Sequence, residues 1–191
     1  MRIRTAVLLA LATLAPMGAA RAQVSNPLKF TIFGGAALPS GDTQDGVKTG
    51  YIVGGAVDFR VPLMPLGFRG ELGYASFDAK ESAGLSDADM SDLGVNANAV
   101  FWLPSGPSPI RPYFTGGLSY SRIKLSGEES GIEASIDDNG FGFNFGGGVD
   151  FALGTLSTRL DARYKRVSID FGDTGEDSKV TYIPITFGLT F

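Results

Sequence analysis

The last ten residues, YIPITFGLTF (182–191), alternate between large apolar side chains and small or polar ones. Counting back by twos from the last residue gives an apolar face of Phe191, Leu189, Phe187, Ile185 and Ile183. A period of two is typical of a β-strand with one apolar face. The stretch ends on an aromatic residue, whereas the ends of soluble domains usually fray into polar residues. A strand of this kind needs a pairing partner and an apolar environment up to its last residue.

The same alternation recurs along the chain and predicts eight strands. They fall at roughly 28–38, 50–61, 67–77, 91–103, 110–122, 141–153, 156–168 and 180–191. At about 3.3 Å per residue and a tilt near 40°, strands of this length cross the roughly 25 Å apolar band of a transmembrane barrel. Strands of soluble proteins are usually nearer 5 or 6 residues. We therefore predict an all-β fold, an eight-stranded antiparallel up-and-down transmembrane β-barrel.

The second face of these strands carries charges of both signs among Gly, Ala and Asn. They are Asp58, Arg60, Arg69, Glu71, Arg111, Asp150, Arg159, Asp161, Arg163 and Lys165. A membrane barrel turns such a face into its lumen and its apolar face towards lipid. The charges are either an ion-pair network that fills the interior or a pathway for ions and small solutes. An eight-stranded interior is just wide enough for side chains to fill it, and buried charges persist when paired, which favours the network.

The connections between the predicted strands alternate in length and charge. Those near 62–67, 104–109 and 153–155 are short and uncharged, whereas the four others are long and hold 16 of the 20 acidic residues, Asp92 among them. The remaining four acids lie on the polar face. The apolar face is therefore free of acids, as a lipid-facing surface requires, since a charge at the bilayer centre costs about 2–4 kcal/mol. Because open strand edges are not tolerated in lipid, the last strand is expected to pair with the first.

The N-terminus has the pattern of a cleaved secretory signal. Arg2 and Arg4 precede an apolar run at 5–15, and Ala20-Arg21-Ala22 matches a small-x-small cleavage site. We expect residues 1–22 to be removed and residues 23–191 to form the barrel. Three of the 16 basic residues lie in the signal, which leaves 13 against 20 acids and a formal net charge of −7.

The terminal strand and the opening strand FTIFGGAALPSGD (30–42) resemble the small eight-stranded outer-membrane barrels, the OmpA-like and OmpX-like barrels of Gram-negative-type bacteria. The resemblance implies an outer-membrane location, short periplasmic turns and long extracellular loops. It also implies contact with membrane lipid and lipopolysaccharide, and handling by periplasmic chaperones and the barrel-assembly machinery. The signal read by that machinery would be carried by Tyr182, Ile183, Ile185, Phe187, Leu189 and Phe191. We expect a monomer.

Composition excludes several other functions. The chain has no His and no Cys, which removes the usual general base, thiolate metal sites and disulfides, so we predict no enzymatic activity, no cofactor and no metal site. The acidic net charge argues against a nucleic-acid partner. A structural or surface-interaction role is expected. The alternatives are a narrow channel for ions or for small or hydrophobic solutes, and a soluble lipocalin-like barrel with an apolar ligand inside.

Aromatic residues cluster at the predicted membrane boundaries. Phe101, Trp102, Tyr113 and Phe114 flank the 104–109 turn and are expected to form an interfacial girdle, although the alternation points Trp102 inward.

Overall fold

The computed structural model describes residues 27–80, 89–106, 108–129, 132–153, 156–170 and 177–191. Nearly all of them are in strands: β1 (Leu28–Pro39), β2 (Gly50–Arg60), β3 (Leu66–Asp78), β4 (Asp89–Trp102), β5 (Ile110–Glu129), β6 (Ile132–Leu153), β7 (Leu156–Asp170) and β8 (Asp177–Thr190). One helical turn, α1 (Thr43–Gly46), follows β1. No helix in these ranges is long and apolar enough to cross a bilayer.

The eight strands form a closed antiparallel barrel in which each strand pairs with its neighbours in sequence. The barrel is closed by β1 and β8, with Thr31 opposite Thr190. Phe191 continues this pairing, because its amide donates to the Phe30 carbonyl at 2.8 Å. The prediction of a closed eight-stranded barrel is confirmed, and the last strand has a partner up to its terminal residue.

The apolar faces of the strands point out of the barrel. Ile32, Leu118 and Phe141 are 63%, 72% and 74% exposed, although all three are large and apolar. The charged faces point inward and are buried. A soluble lipocalin-like barrel requires the reverse arrangement, so that interpretation is wrong. The exposed apolar surface is the one that a lipid bilayer covers.

The two ends of the barrel differ. The ends of β2, β4 and β6 and the starts of β3, β5 and β7 lie at one end, here called the turn end, and the opposite end is called the loop end. At the loop end β5 and β6 run on as a paired hairpin to Glu129 opposite Ile132, where the sequence predicted a loop. Acidic residues do not prevent pairing there, because strands beyond the membrane band need no apolar face.

Several predictions fall on parts of the chain that the structure does not describe. The signal at 1–22 lies outside the described residues. The same is true of the side chains of nine acids expected in loops: Glu81, Asp87, Glu128, Glu129, Glu133, Asp170, Asp173, Glu176 and Asp177.

Candidate functional site

The barrel interior is filled by stacked layers of side chains, beginning at the turn end with a group around Asp150. Arg159 Nε donates to Asp150 Oδ1 at 2.8 Å, and Trp102 Nε1 donates to Oδ2 at 3.0 Å. Arg60 is more distant, with Nη2 at 3.5 Å from Oδ2, and its guanidinium lies 4.1 Å from the centre of the Trp102 ring. One carboxylate thus holds two arginines and the indole at this end.

The next layer is centred on Asp58. Arg69 Nε donates to Asp58 Oδ1 at 2.6 Å, and Arg159 Nη1 donates to Oδ2 at 2.8 Å. Asp58 and Arg69 are 1% and 2% exposed. Arg159 therefore bridges this layer to Asp150, so the two layers form one network.

A third group is built on Arg163. Its guanidinium donates two hydrogen bonds to Glu71, one of them 2.9 Å from Nη2 to Oε1, and Nε donates to Asp161 at 2.5 Å. The Glu71 carboxylate also accepts from Asn98 Nδ2 at 2.7 Å. The Tyr113 hydroxyl donates to Asp161. Bidentate, fully hydrogen-bonded pairs are the form in which buried charges are best tolerated.

The last polar layer towards the loop end contains Lys165, Asp92 and Tyr182. Lys165 Nζ lies 2.9 Å from Asp92 Oδ2, and the Tyr182 hydroxyl donates to the same oxygen at 2.8 Å. The assignment of Asp92 to a loop is wrong, because this residue lies within β4 and its side chain is inside the barrel, 1% exposed. The alternation itself carried the signal: Asp92 shares the parity of Asn96 and Asn98.

Beyond Lys165 the interior becomes apolar. The side chains of Phe77, Met90, Ile123 and Val167 are all at most 4% exposed, and the Phe77 ring packs against Tyr182 with 5.2 Å between ring centres. The other members of this apolar cap are Val47, Ile169 and Val180. The sequence did not predict this cap, because the inward face was expected to stay polar along its whole length.

The predicted interior residues are therefore placed as follows. Asp58, Arg69, Glu71, Asp150, Arg159, Asp161, Arg163 and Lys165 are buried and connected by ion pairs, and Arg60 is at the edge of this network, with its side chain 29% exposed. Arg111 does not belong to it. That side chain is exposed at the turn end and makes no ion pair or hydrogen bond with a described residue.

Two aromatic residues expected in the girdle lie inside the barrel. Trp102 and Tyr113 are 6% and 2% exposed and donate to interior carboxylates, whereas Phe101 and Phe114 face outward. The parity of Trp102 was right and its girdle role was wrong. The Trp102 and Tyr113 side chains each carry one polar donor, and each donor reaches an interior carboxylate.

Glycines make room for the large interior side chains. A Cβ on Gly94 would lie 2.6 Å from Lys165 Nζ, and one on Gly148 would lie 2.5 Å from the Tyr113 hydroxyl. Within the stretch Gly146-Gly147-Gly148, the two inward glycines thus face Arg163 and Tyr113. A narrow barrel can hold Arg, Tyr and Lys inside because the opposing positions have no side chain.

Little space is left between these layers. The interior holds two voids of about 20 and 10 Å³, the larger lined by Asn96, Asn144 and Lys165 among others. Each has room for about one water molecule. Among the described residues there is no cluster of three or more acidic, His or Cys side chains that could hold a metal ion.

An open cavity lies at the loop end, above the apolar cap. Its volume is about 480 Å³, and it is lined by Val47, Met90, Leu125 and Val180, with Asp42, Thr43, Gly46 and Lys179 completing its wall.

Comparisons with known proteins agree with this architecture. A family model described as "Outer membrane protein beta-barrel domain" matches residues 6–191. The structure is similar to that of Neisserial surface protein A, with a TM-score of 0.59 at 16% identity over 86% of this chain and 96% of that one. It is also similar to a major outer membrane protein of Thermus thermophilus (TM-score 0.58, 18% identity, 86% and 98% covered) and to the outer membrane enzyme PagL (0.54, 16%, 84% and 97%). No curated protein matches the sequence significantly.

Proposed function

Because this chain belongs to the outer membrane protein β-barrel domain family, we propose that it is a non-enzymatic structural and surface-interaction component of the outer membrane with a closed interior. Its place in the outer membrane and its buried salt-bridge network are established by the family and the fold. The proposal concerns what the protein does there. In the membrane the turn end faces the periplasm and the loop end faces outward.

The observation that carries the proposal is the continuous filling of the interior. From Asp150 to the apolar cap, successive layers of paired charges and apolar side chains leave voids of about 20 and 10 Å³. An ion crossing this interior would have to displace buried, hydrogen-bonded guanidinium groups. Breaking one buried ion pair costs about 3–5 kcal/mol, and the path crosses several.

The second candidate, a narrow channel, would require this network to open. The apolar cap adds a further obstacle, because an ion loses its hydration among Phe77, Met90 and Val167 without gaining polar ligands. We therefore place the channel second.

A surface-interaction role is supported by the loop end. Its open cavity combines apolar walls with a polar rim that includes Asp42 and Lys179. Four further exposed carboxylates lie at the same end of the barrel: Asp45, Asp78, Asp89 and Asp137. The cavity is of the size that small ligands occupy.

The absence of enzymatic activity is also a proposal. The fold by itself allows catalysis, since the similar PagL is described as an enzyme. This sequence contains no His, so the commonest general base is missing. Each interior carboxylate accepts hydrogen bonds from basic side chains or hydroxyls, so these carboxylates act as acceptors and not as general bases.

We further propose that the exposed apolar belt contacts membrane lipid and lipopolysaccharide, and that the protein is a monomer, since a closed barrel has no free edge for another copy. The outward side chains of Ile183, Ile185, Phe187, Leu189 and Phe191 are available to the barrel-assembly machinery during biogenesis. Tyr182 differs from them, because it points inward and its hydroxyl is bound to Asp92.

Conductance across a planar bilayer tests the closed interior. The folded protein, checked by gel mobility, should give no stable current steps. Steps whose size changes on Arg159→Gln and Arg163→Gln, but not on Arg122→Gln outside the barrel interior, would show that the lumen is an open path. Steps that none of these variants changes would point to leakage around the protein.

A further inference from the structure

The turn end of the interior holds more positive than negative charge. Lys29, Arg60 and Arg111 occupy inward-facing positions on β1, β2 and β5, next to the short connections. Residues two apart on a strand share a face, and Thr31 and Tyr113, two residues further along β1 and β5, are buried in the interior. Three basic side chains from three different strands therefore converge on the periplasmic opening.

The single interior carboxylate of this layer is already in use. Asp150 accepts from Arg159 at 2.8 Å and from Trp102 at 3.0 Å, which occupies one position on each oxygen. Arg60 reaches it at 3.5 Å, the longest of the three contacts. Asp150 therefore cannot neutralise the remaining cations of the opening.

The side chains of Lys29 and Arg111 have no hydrogen bond or ion pair with any described residue. Arg60 Nη2 lies 3.5 Å from Asp150, which is opposite Arg111 in the β5–β6 register. Lys29 is opposite Asp58, two residues before Arg60 on β2, so the three cations share this end of the barrel. Like charges held this close are unfavourable unless an anion lies between them.

The imbalance holds for the described interior between the turn end and the apolar cap. Its carboxylates are Asp58, Glu71, Asp92, Asp150 and Asp161. Its cations are Lys29, Arg60, Arg69, Arg159, Arg163 and Lys165, and the exposed Arg111 lies at its rim at the turn end. Five cations balance the five carboxylates in number: Arg60, Arg69, Arg159, Arg163 and Lys165. The two remaining cations, Lys29 and Arg111, are at the opening.

We propose that the periplasmic opening, formed by Lys29, Arg60 and Arg111, is a binding site for a phosphate group. Guanidinium groups bind phosphate oxygens through paired N–H donors, and an ammonium adds a point charge, so this set suits a phosphate group better than a monatomic anion such as chloride. The phosphate could belong to a soluble phosphate ester of the periplasm or to the headgroup of an anionic lipid in the inner leaflet. The site lies at the end of a closed interior and does not depend on whether the lumen conducts.

The protein contains its own reporter for this site. Trp102 is the single tryptophan of the sequence, and the Arg60 guanidinium lies 4.1 Å from its ring centre. A phosphate that draws Arg60 towards Lys29 and Arg111 changes the charge next to the indole. Its fluorescence should therefore respond to binding.

The experiment uses the folded full-length barrel in nonionic, phosphate-free micelles. Inorganic phosphate is titrated while Trp102 emission is recorded, with chloride at matched ionic strength as the reference because screening alone weakens exposed charge interactions. A second titration replaces inorganic phosphate with phosphatidylglycerol added to the micelles. Lys29→Gln and Arg111→Gln are the test variants, and Arg122→Gln, an exposed arginine near the loop end, is the matched control.

We expect a saturable change with phosphate or with phosphatidylglycerol, weakened about tenfold in each test variant and unchanged in the control, as loss of one charge-assisted hydrogen bond implies. A response to inorganic phosphate identifies the soluble source, and a response restricted to the lipid identifies the headgroup. The proposal is overturned if neither probe changes the emission, if chloride reproduces the change, or if the test and control variants respond alike. Heat-dependent gel mobility confirms that each variant is folded.

Discussion

Replacing Lys165 with Met tests whether paired charges hold the interior together. Lys165 Nζ lies 2.9 Å from Asp92 Oδ2, and the two side chains are 6% and 0% exposed. Methionine keeps most of the unbranched stem but removes the charge. The Asp92 carboxylate would then be left in the interior with the Tyr182 hydroxyl as its donor.

The expected cost follows from this geometry. At 2.9 Å and an effective dielectric constant of about 20, the attraction is about 6 kcal/mol, most of which offsets the cost of removing both charges from water. Removing one partner of a buried pair usually costs about 3–5 kcal/mol, because the other charge is stranded. Since Tyr182 still donates to Asp92, we expect about 3 kcal/mol. The double variant Lys165→Met/Asp92→Asn strands no charge and should recover at least half of the loss.

The free energy of unfolding is measured by urea titration of the barrel in phospholipid vesicles, followed by gel mobility and Trp102 fluorescence. With a denaturant dependence of about 2 kcal/mol per molar, a loss of about 3 kcal/mol lowers the urea midpoint by about 1.5 M. Arg122→Met is the matched control. Its partner Asp137 is 2.7 Å away, but the side chains are 60% and 41% exposed, so solvent screens the pair and we expect a much smaller shift of the urea midpoint than for Lys165→Met.

Two results would refute this reasoning. If Lys165→Met and Arg122→Met lower the midpoint equally, burial does not strengthen the pair. If the double variant is as unstable as the sum of the single variants, the stranded charge is not the cause of the loss.

Three further predictions follow from the packing and the two faces of the barrel. Gly148→Ala places a Cβ 2.5 Å from the Tyr113 hydroxyl and should destabilise the barrel by about 1–3 kcal/mol in the same urea assay. In the control Gly70→Ala the Cβ would meet no atom within 4 Å, and stability should change by less than about 1 kcal/mol. Equal losses in the two variants would contradict the packing argument. Leu118→Arg puts a charge on a lipid-facing side chain that is 72% exposed and should cost about 2–4 kcal/mol in vesicles, more than Leu118→Ala; an unchanged midpoint would mean that this face does not contact lipid. Phe191→Ala should lower the amount of protein inserted in cells while leaving the urea midpoint of the refolded barrel within about 0.5 M; normal insertion would refute its role in assembly.

The placement of Asp92 shows where reading the sequence succeeded and where it failed. Its parity along 89–102 is that of the interior, so the pattern contained the information. The surrounding acids at 87 and 89 made the segment look like a loop. Strand ends are hard to place because pairing beyond the membrane band needs no apolar face, and the same cause explains the long extensions of β5 and β6.

Trp102 and Tyr113 illustrate a different limit. An aromatic residue near a turn is typical of the interfacial girdle, and composition alone gives no reason to place it inside. Both lie inside because a carboxylate from a strand distant in sequence accepts from the ring donor: Asp150 for Trp102 and Asp161 for Tyr113, each 48 residues away. The inward glycines that make room for these rings are also distant in sequence; Gly148, which faces Tyr113, lies on β6.

The alternation along the chain predicts the number of strands, the lipid-facing surface and the presence of charges inside, because a period of two sorts side chains to two faces within each strand. Which of these charges meet depends on the closure of the barrel. The ion pair of Arg163 with Glu71 spans 92 residues and that of Lys165 with Asp92 spans 73, and both depend on how the closed barrel aligns strands that are not neighbours. The fold also separates a polar interior near the turn end from an apolar cap and leaves the surplus positive charge at the turn end. Such differences depend on height within the barrel, which alternation along one strand does not encode.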